Sequence, residues 1–183
     1  MRRGGQNACI ASDPVYFQRG HDILNCLYAG GYSAVADQSK YFHNYLTLSS
    51  ERPYLGTIHP VTNKCYVYRG LPMGSSNSPA IACRIGNSFL RKLRNECDAF
   101  QGVLVENSWR KRFQGEEHHP EWGYGRVLLG KDGLPACHVW AHVDDYFIHG
   151  PTKQKTCQAF AAFMDLSVRM GFIVQPCKTI PPA

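Results

Sequence analysis

Apolar and polar positions along this 183-residue chain fall into strand-length and helix-length runs. Residues 137–143, CHVWAHV, alternate: Val139, Ala141 and Val143 face one side, His138, Trp140 and His142 the other. A second β-prone run, 146–149, stops at Gly150-Pro151, because proline cannot keep donating to a ladder. The pattern predicts a β-hairpin with Asp144 and Asp145 at its tip. Residues 32–37 read as a buried strand ending in the carboxylate of Asp37. Residues 54–58 and 65–68 are β-prone arms around a turn-rich 60–64. Helical spacing predicts a short helix over 21–28, one or two turns within 39–48 and two longer helices. The first long helix covers 79–95, capped by Ser78, with Ala82, Ile85, Phe89 and Leu93 as its core stripe. The second covers 153–170, capped by Thr152, with Cys157, Phe160, Ala161, Met164 and Val168 as its stripe. Gly171 ends it, and 172–174 read as a short strand.

In this order, strands and helices alternate as a β-α-β-β-α-β split arrangement. That is an α+β fold, an antiparallel sheet with helices packed on one face. Residues 96–136 show little periodicity and read as an insertion. Its Trp109, Phe113, Trp122 and Tyr124 are expected to form a small satellite core.

Composition narrows the class. A content of 44% hydrophobic and 12% aromatic residues suits one packed domain. No run approaches the ~20 apolar residues of a membrane span, so no membrane partner is expected. Eight cysteines without a Cys-x-x-Cys pair read as reduced thiols of an intracellular protein. The net charge of +6 permits a polyanionic partner. Basic residues concentrate between 84 and 112, and Arg84, Arg91 and Arg94 fall mostly opposite the apolar stripe of the 79–95 helix. A basic front of this kind attracts a phosphate backbone, though a solvated helix face has the same pattern.

Two adjacent carboxylates repel, and burial raises the cost of ionising both. A solvated Asp-Asp turn is one reading of the tip. The other is a seat for a hard divalent cation such as Mg²⁺, which takes oxygen ligands. In the split arrangement the first strand lies beside the hairpin, so Asp37 meets Asp144. Three converging carboxylates are the makings of a two-metal site. The loop 69–79, RGLPMGSSNSP, precedes the basic helix, and Gly74 allows a ligand or backbone to come close.

These motifs, in this order, resemble the palm domain of a retroelement reverse transcriptase. VADQSKYF (35–42) is similar to the family's first motif, RGLPMGSSNSP to its Leu-Pro-x-Gly motif, HVDDYFI (142–148) to its Asp-Asp motif and GFIVQPCKT (171–179) to its Gly-Phe…Lys motif. The phrase DDYFIHGPTKQKTCQ leans toward eukaryotic retrotransposons of the tyrosine-recombinase or long-terminal-repeat kinds. The resemblance implies RNA-directed DNA polymerisation on an RNA or DNA template-primer, from deoxynucleoside triphosphates, with Mg²⁺ or alternatively Mn²⁺. Asp37, Asp144 and Asp145 would be the catalytic metal ligands, joined by the backbone carbonyl of Gln38. Phe42 would sit under the sugar and exclude a 2′-hydroxyl. Met73 and Gly74 would lie against the nucleotide, and Lys178 would approach the triphosphate.

Departures are visible too. His142 stands where many relatives have tyrosine, and the gap before the catalytic hairpin is long. Residues 1–31 read as a remnant of the fingers or a lead-in, and 32–183 as the palm. Fingers and thumb segments are expected from a larger polyprotein. A catalytically incomplete, nucleic-acid-binding palm is the alternative. An RNA-templated RNA polymerase uses a similar palm, but the Leu-Pro-x-Gly loop and Phe42 argue against it.

Overall fold

A computed structural model of the chain describes residues 20–24, 26–28, 30–106 and 126–183. The insertion aromatics Trp109, Phe113, Trp122 and Tyr124 lie outside the described residues. The chain divides into two compact units: Lys40–Gly86, and residues 20–39 together with Asn87–Ala183.

The second unit is built on three antiparallel strands in the order β1-β7-β6. Strand β1 is Tyr32–Asp37, β6 is His138–His142 and β7 is Asp145–Gly150. The central β7 therefore pairs with β1 on one side and β6 on the other. Its even-numbered residues make one face. Tyr146 and Ile148 lie opposite Ala36 and Ala34 of β1 and opposite Ala141 and Val139 of β6. All but Ala141 are buried.

That face is covered by helix. Helix α2, Ser78–Glu96, begins in the first unit and ends in the second; α3, Lys153–Arg169, packs on β1 and β7. Phe89 and Leu93 of α2 and Phe163 and Leu166 of α3 are buried to within 1% exposure, which puts these four side chains at the centre of the core. Phe89 meets Tyr146, Phe163 and Phe172 edge-on, at centroid separations of 5.6, 5.5 and 5.6 Å. Edge-to-face contact suits the ring quadrupoles better than stacking. Opposite this core the odd-numbered residues of β7 and their β6 partners form another layer. His138, Trp140, Phe147 and His149 stack in a ladder, and Tyr28, following the short helix α1 (Gly20–Leu24), stacks on His149.

Three expectations needed correction here. The buried stripe of α3 is Thr156, Ala159, Phe163, Leu166 and Ser167, with Lys155. Of the predicted stripe, Cys157, Ala161 and Val168 are exposed, and Phe160 and Met164 half-buried. The helix is apolar on two faces, so periodicity alone chose the wrong phase; Phe163, not Phe160, fits against Phe89 and Tyr146. Residues 172–174 do not form a strand. They reach β1 through the single bridge Gln38↔Val174, and Ile180 bridges Val35. Pro176 enters a short 3₁₀ turn (Pro176–Lys178), which interrupts the ladder between those two bridges. The helix expected within 39–48 is one 3₁₀ turn, Tyr41–Asn44.

The segment before β6 folds back as a hairpin of β4 (Val103–Glu106) and β5 (Arg126–Leu129). It is tied to α3 by a buried cation. The Lys155 side chain is only 8% exposed, and its Nζ donates to both Asp132 oxygens at 2.8 and 2.9 Å. Burial pushes the Asp132 carboxyl up, but the Lys155 ammonium and the Leu134 N–H together hold it below its usual range. Removing the two partners is expected to cost unequally. Asp132→Ala leaves the ammonium buried with no counter-charge and only the Leu134 carbonyl, at 3.4 Å, to accept from it, and should destabilise the protein by ~2 kcal/mol. Lys155→Met frees a carboxylate already 48% exposed, which can turn to water, and should cost under ~1 kcal/mol. Urea denaturation of both variants checks the asymmetry. The pair's contribution is present at neutral pH and should fade as acid protonates Asp132, below the ordinary carboxylate range.

The first unit holds the hairpin of β2 (Gly56–Ile58) and β3 (Cys65–Val67), the loop 69–77 and the start of α2. Tyr41 anchors it, donating its hydroxyl to the Ala82 carbonyl at 2.8 Å. Among the described residues no helix is long and apolar enough to cross a membrane.

Candidate active site

The chain reverses between β6 and β7 in two residues, Val143 and Asp144. Val143 takes a left-handed φ of 60°, which a β-branched side chain resists. Strain of this kind persists only where flanking pairs impose it, here His142 against Asp145. The turn leaves Asp144 half-buried at the tip and Asp145 exposed as the first residue of β7.

Asp37 ends β1 directly opposite Asp145, as its register partner. The Gln38 N–H donates to the Asp144 carbonyl at 2.9 Å, which locks the end of β1 to the turn. Acids 107 positions apart in the chain thus share one end of the sheet. By strand alternation Asp37 and Asp145 lie on the face away from the two helices. On its other side Asp37 is held by the C-terminal segment, where the Gln175 N–H donates to the Asp37 carbonyl at 2.8 Å. The 3₁₀ turn that follows brings Lys178 in, and its Nζ donates to Asp37 Oδ2 at 3.1 Å.

Negative charge is crowded here. Burial and the neighbouring charges of Asp144 and Asp37 push the Asp145 carboxyl above its usual range, against the pull of Lys178. The bond to Asp37 and the surrounding acids in turn hold the Lys178 ammonium above its ordinary value. Among the described residues, no three His, Cys, Asp or Glu side chains are gathered tightly enough to hold an ion as they stand. The donor chemistry still fits a hard divalent cation. Every side-chain donor is a carboxylate oxygen, and such a cation would relieve the repulsion that helps raise Asp145.

The family model described as reverse transcriptase (RNA-dependent DNA polymerase) matches residues 31–180 of this chain. The chain belongs to the reverse transcriptase family. Solved structures are similar in fold. A foamy viral protease-reverse transcriptase in complex with an RNA/DNA hybrid superposes with a TM-score of 0.62 at 15% identity, over 96% of this chain and 18% of that one. The native prototype foamy virus protease-reverse transcriptase gives 0.61 at 16% identity, over 94% and 17%. This reverse transcriptase chain therefore spans less than a fifth of the length of those proteins. No curated protein matches it.

Other predicted site residues fall elsewhere. Phe42, Met73, Gly74 and Arg84 belong to the first unit. Phe42 sits on the 3₁₀ turn, half-buried and edge-on to Tyr41. Met73 is 71% exposed, free to meet a ligand, and Gly74 has the left-handed φ of 92° that its loop requires. In the second unit Arg91 is exposed on α2, whereas Arg94 donates to the Val139 carbonyl at 3.0 Å, and burial lowers its pKa. Gln38 turns its side chain into the core, where Oε1 accepts from the Tyr146 hydroxyl at 3.4 Å. Sequence reading missed Tyr146 as the residue that buttresses the end of β1 behind the acids. Its even-numbered place in β7 was the available signal.

Proposed function

We propose that this chain is the palm of an RNA-directed DNA polymerase, transferring a nucleotide from a deoxynucleoside triphosphate to a primer 3′-hydroxyl. The juxtaposition of Asp37 with the Asp144–Asp145 turn carries the reading, supported by the family match over 31–180. Asp37, Asp144 and Asp145 would hold Mg²⁺, or Mn²⁺ in its place, with the Gln38 carbonyl as a further oxygen donor. Bound there, two such ions would lower the pKa of the primer hydroxyl and stabilise charge on the leaving pyrophosphate.

The chain's own groups do the rest. The strand ends set the carboxylates in fixed positions before substrate arrives, so little reorganisation opposes the reaction. Lys178 would face the triphosphate as a positive charge and proton donor. Met73 and Gly74 would lie against the nucleotide, and the basic face of α2, with Arg84, Arg91 and Arg94, would follow the nucleic-acid backbone. The template-primer as partner is supported by the RNA/DNA hybrid bound to one of the structural relatives. Fingers and thumb segments would come from the remainder of a larger protein.

Primer extension on an RNA template, measured with this chain in its parent-length protein, tests the reading. Divalent-dependent incorporation of deoxynucleotides is expected. Template binding without any synthesis would point instead to a catalytically incomplete palm. Phe42 supplies a sharper test. If its ring excludes a 2′-hydroxyl, Phe42→Ala should raise ribonucleotide relative to deoxynucleotide incorporation by ~10-fold or more, since a steric clash worth over 1.4 kcal/mol is then removed. Unchanged sugar selectivity would leave Phe42 as a packing residue of its turn.

A further inference from the structure

The Asp37 carboxylate is already engaged by a cation of the chain's own. Lys178 Nζ lies 3.1 Å from Asp37 Oδ2. We propose that Lys178 is a built-in competitor for the divalent cation: its ammonium and the metal contend for the same Asp37 oxygen, and loading the metal sends Lys178 off the acid. The inference rests on the polymerase reading above.

The two partners are unequally mobile. The Asp37 side chain is 7% exposed, whereas that of Lys178 is 60% exposed. Asp37 is fixed by its pairing with Asp145 and by the Gln175 N–H on its carbonyl. Lys178 ends a three-residue 3₁₀ turn, on a flexible four-carbon stem. Exchange therefore moves the lysine and leaves the acid in place. A divalent ion carries twice the ammonium's charge and takes six or more oxygens, so it gains from Asp144 and Asp145 as well as Asp37. Among the described residues, the ammonium reaches Asp37 alone within ion-pair distance. Metal should win, but against a handicap. A site available only part of the time binds with its affinity reduced by that fraction. For a half-exposed pair the handicap is ~3–5-fold. Released from Asp37, Lys178 would carry its charge at the same end of the sheet as the acids. The ion pair thereby links metal loading to the lysine's role toward substrate.

Mn²⁺ titration of the full chain, followed by electron paramagnetic resonance, tests this with a readout independent of catalysis. Lys178→Met should bind Mn²⁺ ~3–5-fold more tightly than wild type, because the competitor is gone while the stem remains. Lys178→Arg should bind like wild type. Asp144→Asn should abolish the binding in every background. In primer extension Lys178→Met should be slower despite its tighter metal, which separates competition from general damage. Equal or weaker Mn²⁺ binding by Lys178→Met overturns the inference, as does an Arg variant as tight as Met. If wild type shows no Asp144-dependent Mn²⁺ binding, the cation cradle itself is wrong, and the inference falls with it.

Discussion

Asp144→Ala is expected to lower RNA-templated primer extension by on the order of a thousandfold or more, while the protein stays folded. The size follows from the proposed role: a metal ligand that helps place the reacting oxygens would act in the transition state, and losses of ~4 kcal/mol there correspond to about a thousandfold in rate. The fold should survive because of where Asp144 sits. It is half-buried in a two-residue turn, and its backbone carbonyl, which holds the Gln38 N–H, remains in the variant. Removing its charge also relieves part of the repulsion on Asp145. The Asp145 pKa should therefore move back down toward the ordinary carboxylate range. An NMR titration of the side-chain carboxyl carbons would register that shift without any catalysis. Near-wild-type extension by a well-folded Asp144→Ala protein would sink the mechanism.

The largest stability effect is expected at Phe89. Its ring is fully buried and meets three aromatic neighbours, Tyr146, Phe163 and Phe172. Phe89→Ala removes the six ring carbons from the centre of this aromatic cluster and leaves a cavity among Tyr146, Phe163 and Phe172. A loss of ~3–5 kcal/mol is expected, a large share of the stability of a domain this size. Chemical denaturation gives the value. Phe89→Leu fills most of the space and should cost markedly less, ~1–2 kcal/mol. Equal losses for Ala and Leu would mean that the edge-on aromatic geometry, rather than volume, holds this core together.

Much of the site was legible beforehand for a simple reason. β1, β6 and β7 are short runs with period-two alternation, and alternation assigns faces without knowledge of the partner. Val139 and Ala141 do share the side of Tyr146 and Ile148. The Asp-Asp tip was readable because Gly150-Pro151 and the apolar runs bracket it. α3 was legible in extent but not in orientation. Its sequence offers two apolar stripes, and only the aromatic cluster selects Phe163 over Phe160 as the buried ring. The closing strand failed because proline in 172–180 limits its pairing with β1 to isolated bridges. Lys155 was invisible as a core residue: nothing local announces that a lysine near a helix start will reach Asp132 across 23 positions.

What the amino-acid order determined by itself is local: which segments extend, which coil, where they stop, and that three acids and a lysine sit at segment ends. Local sterics and the two periodicities suffice for that. Tertiary structure alone decided that Asp37 faces Asp145, that Lys178 rests on Asp37 and that Tyr146 props Gln38 from behind. Each of these links joins residues more than a hundred positions apart. Such contacts are selected by the packing of the whole sheet against its helices, not by any preference of the residues themselves.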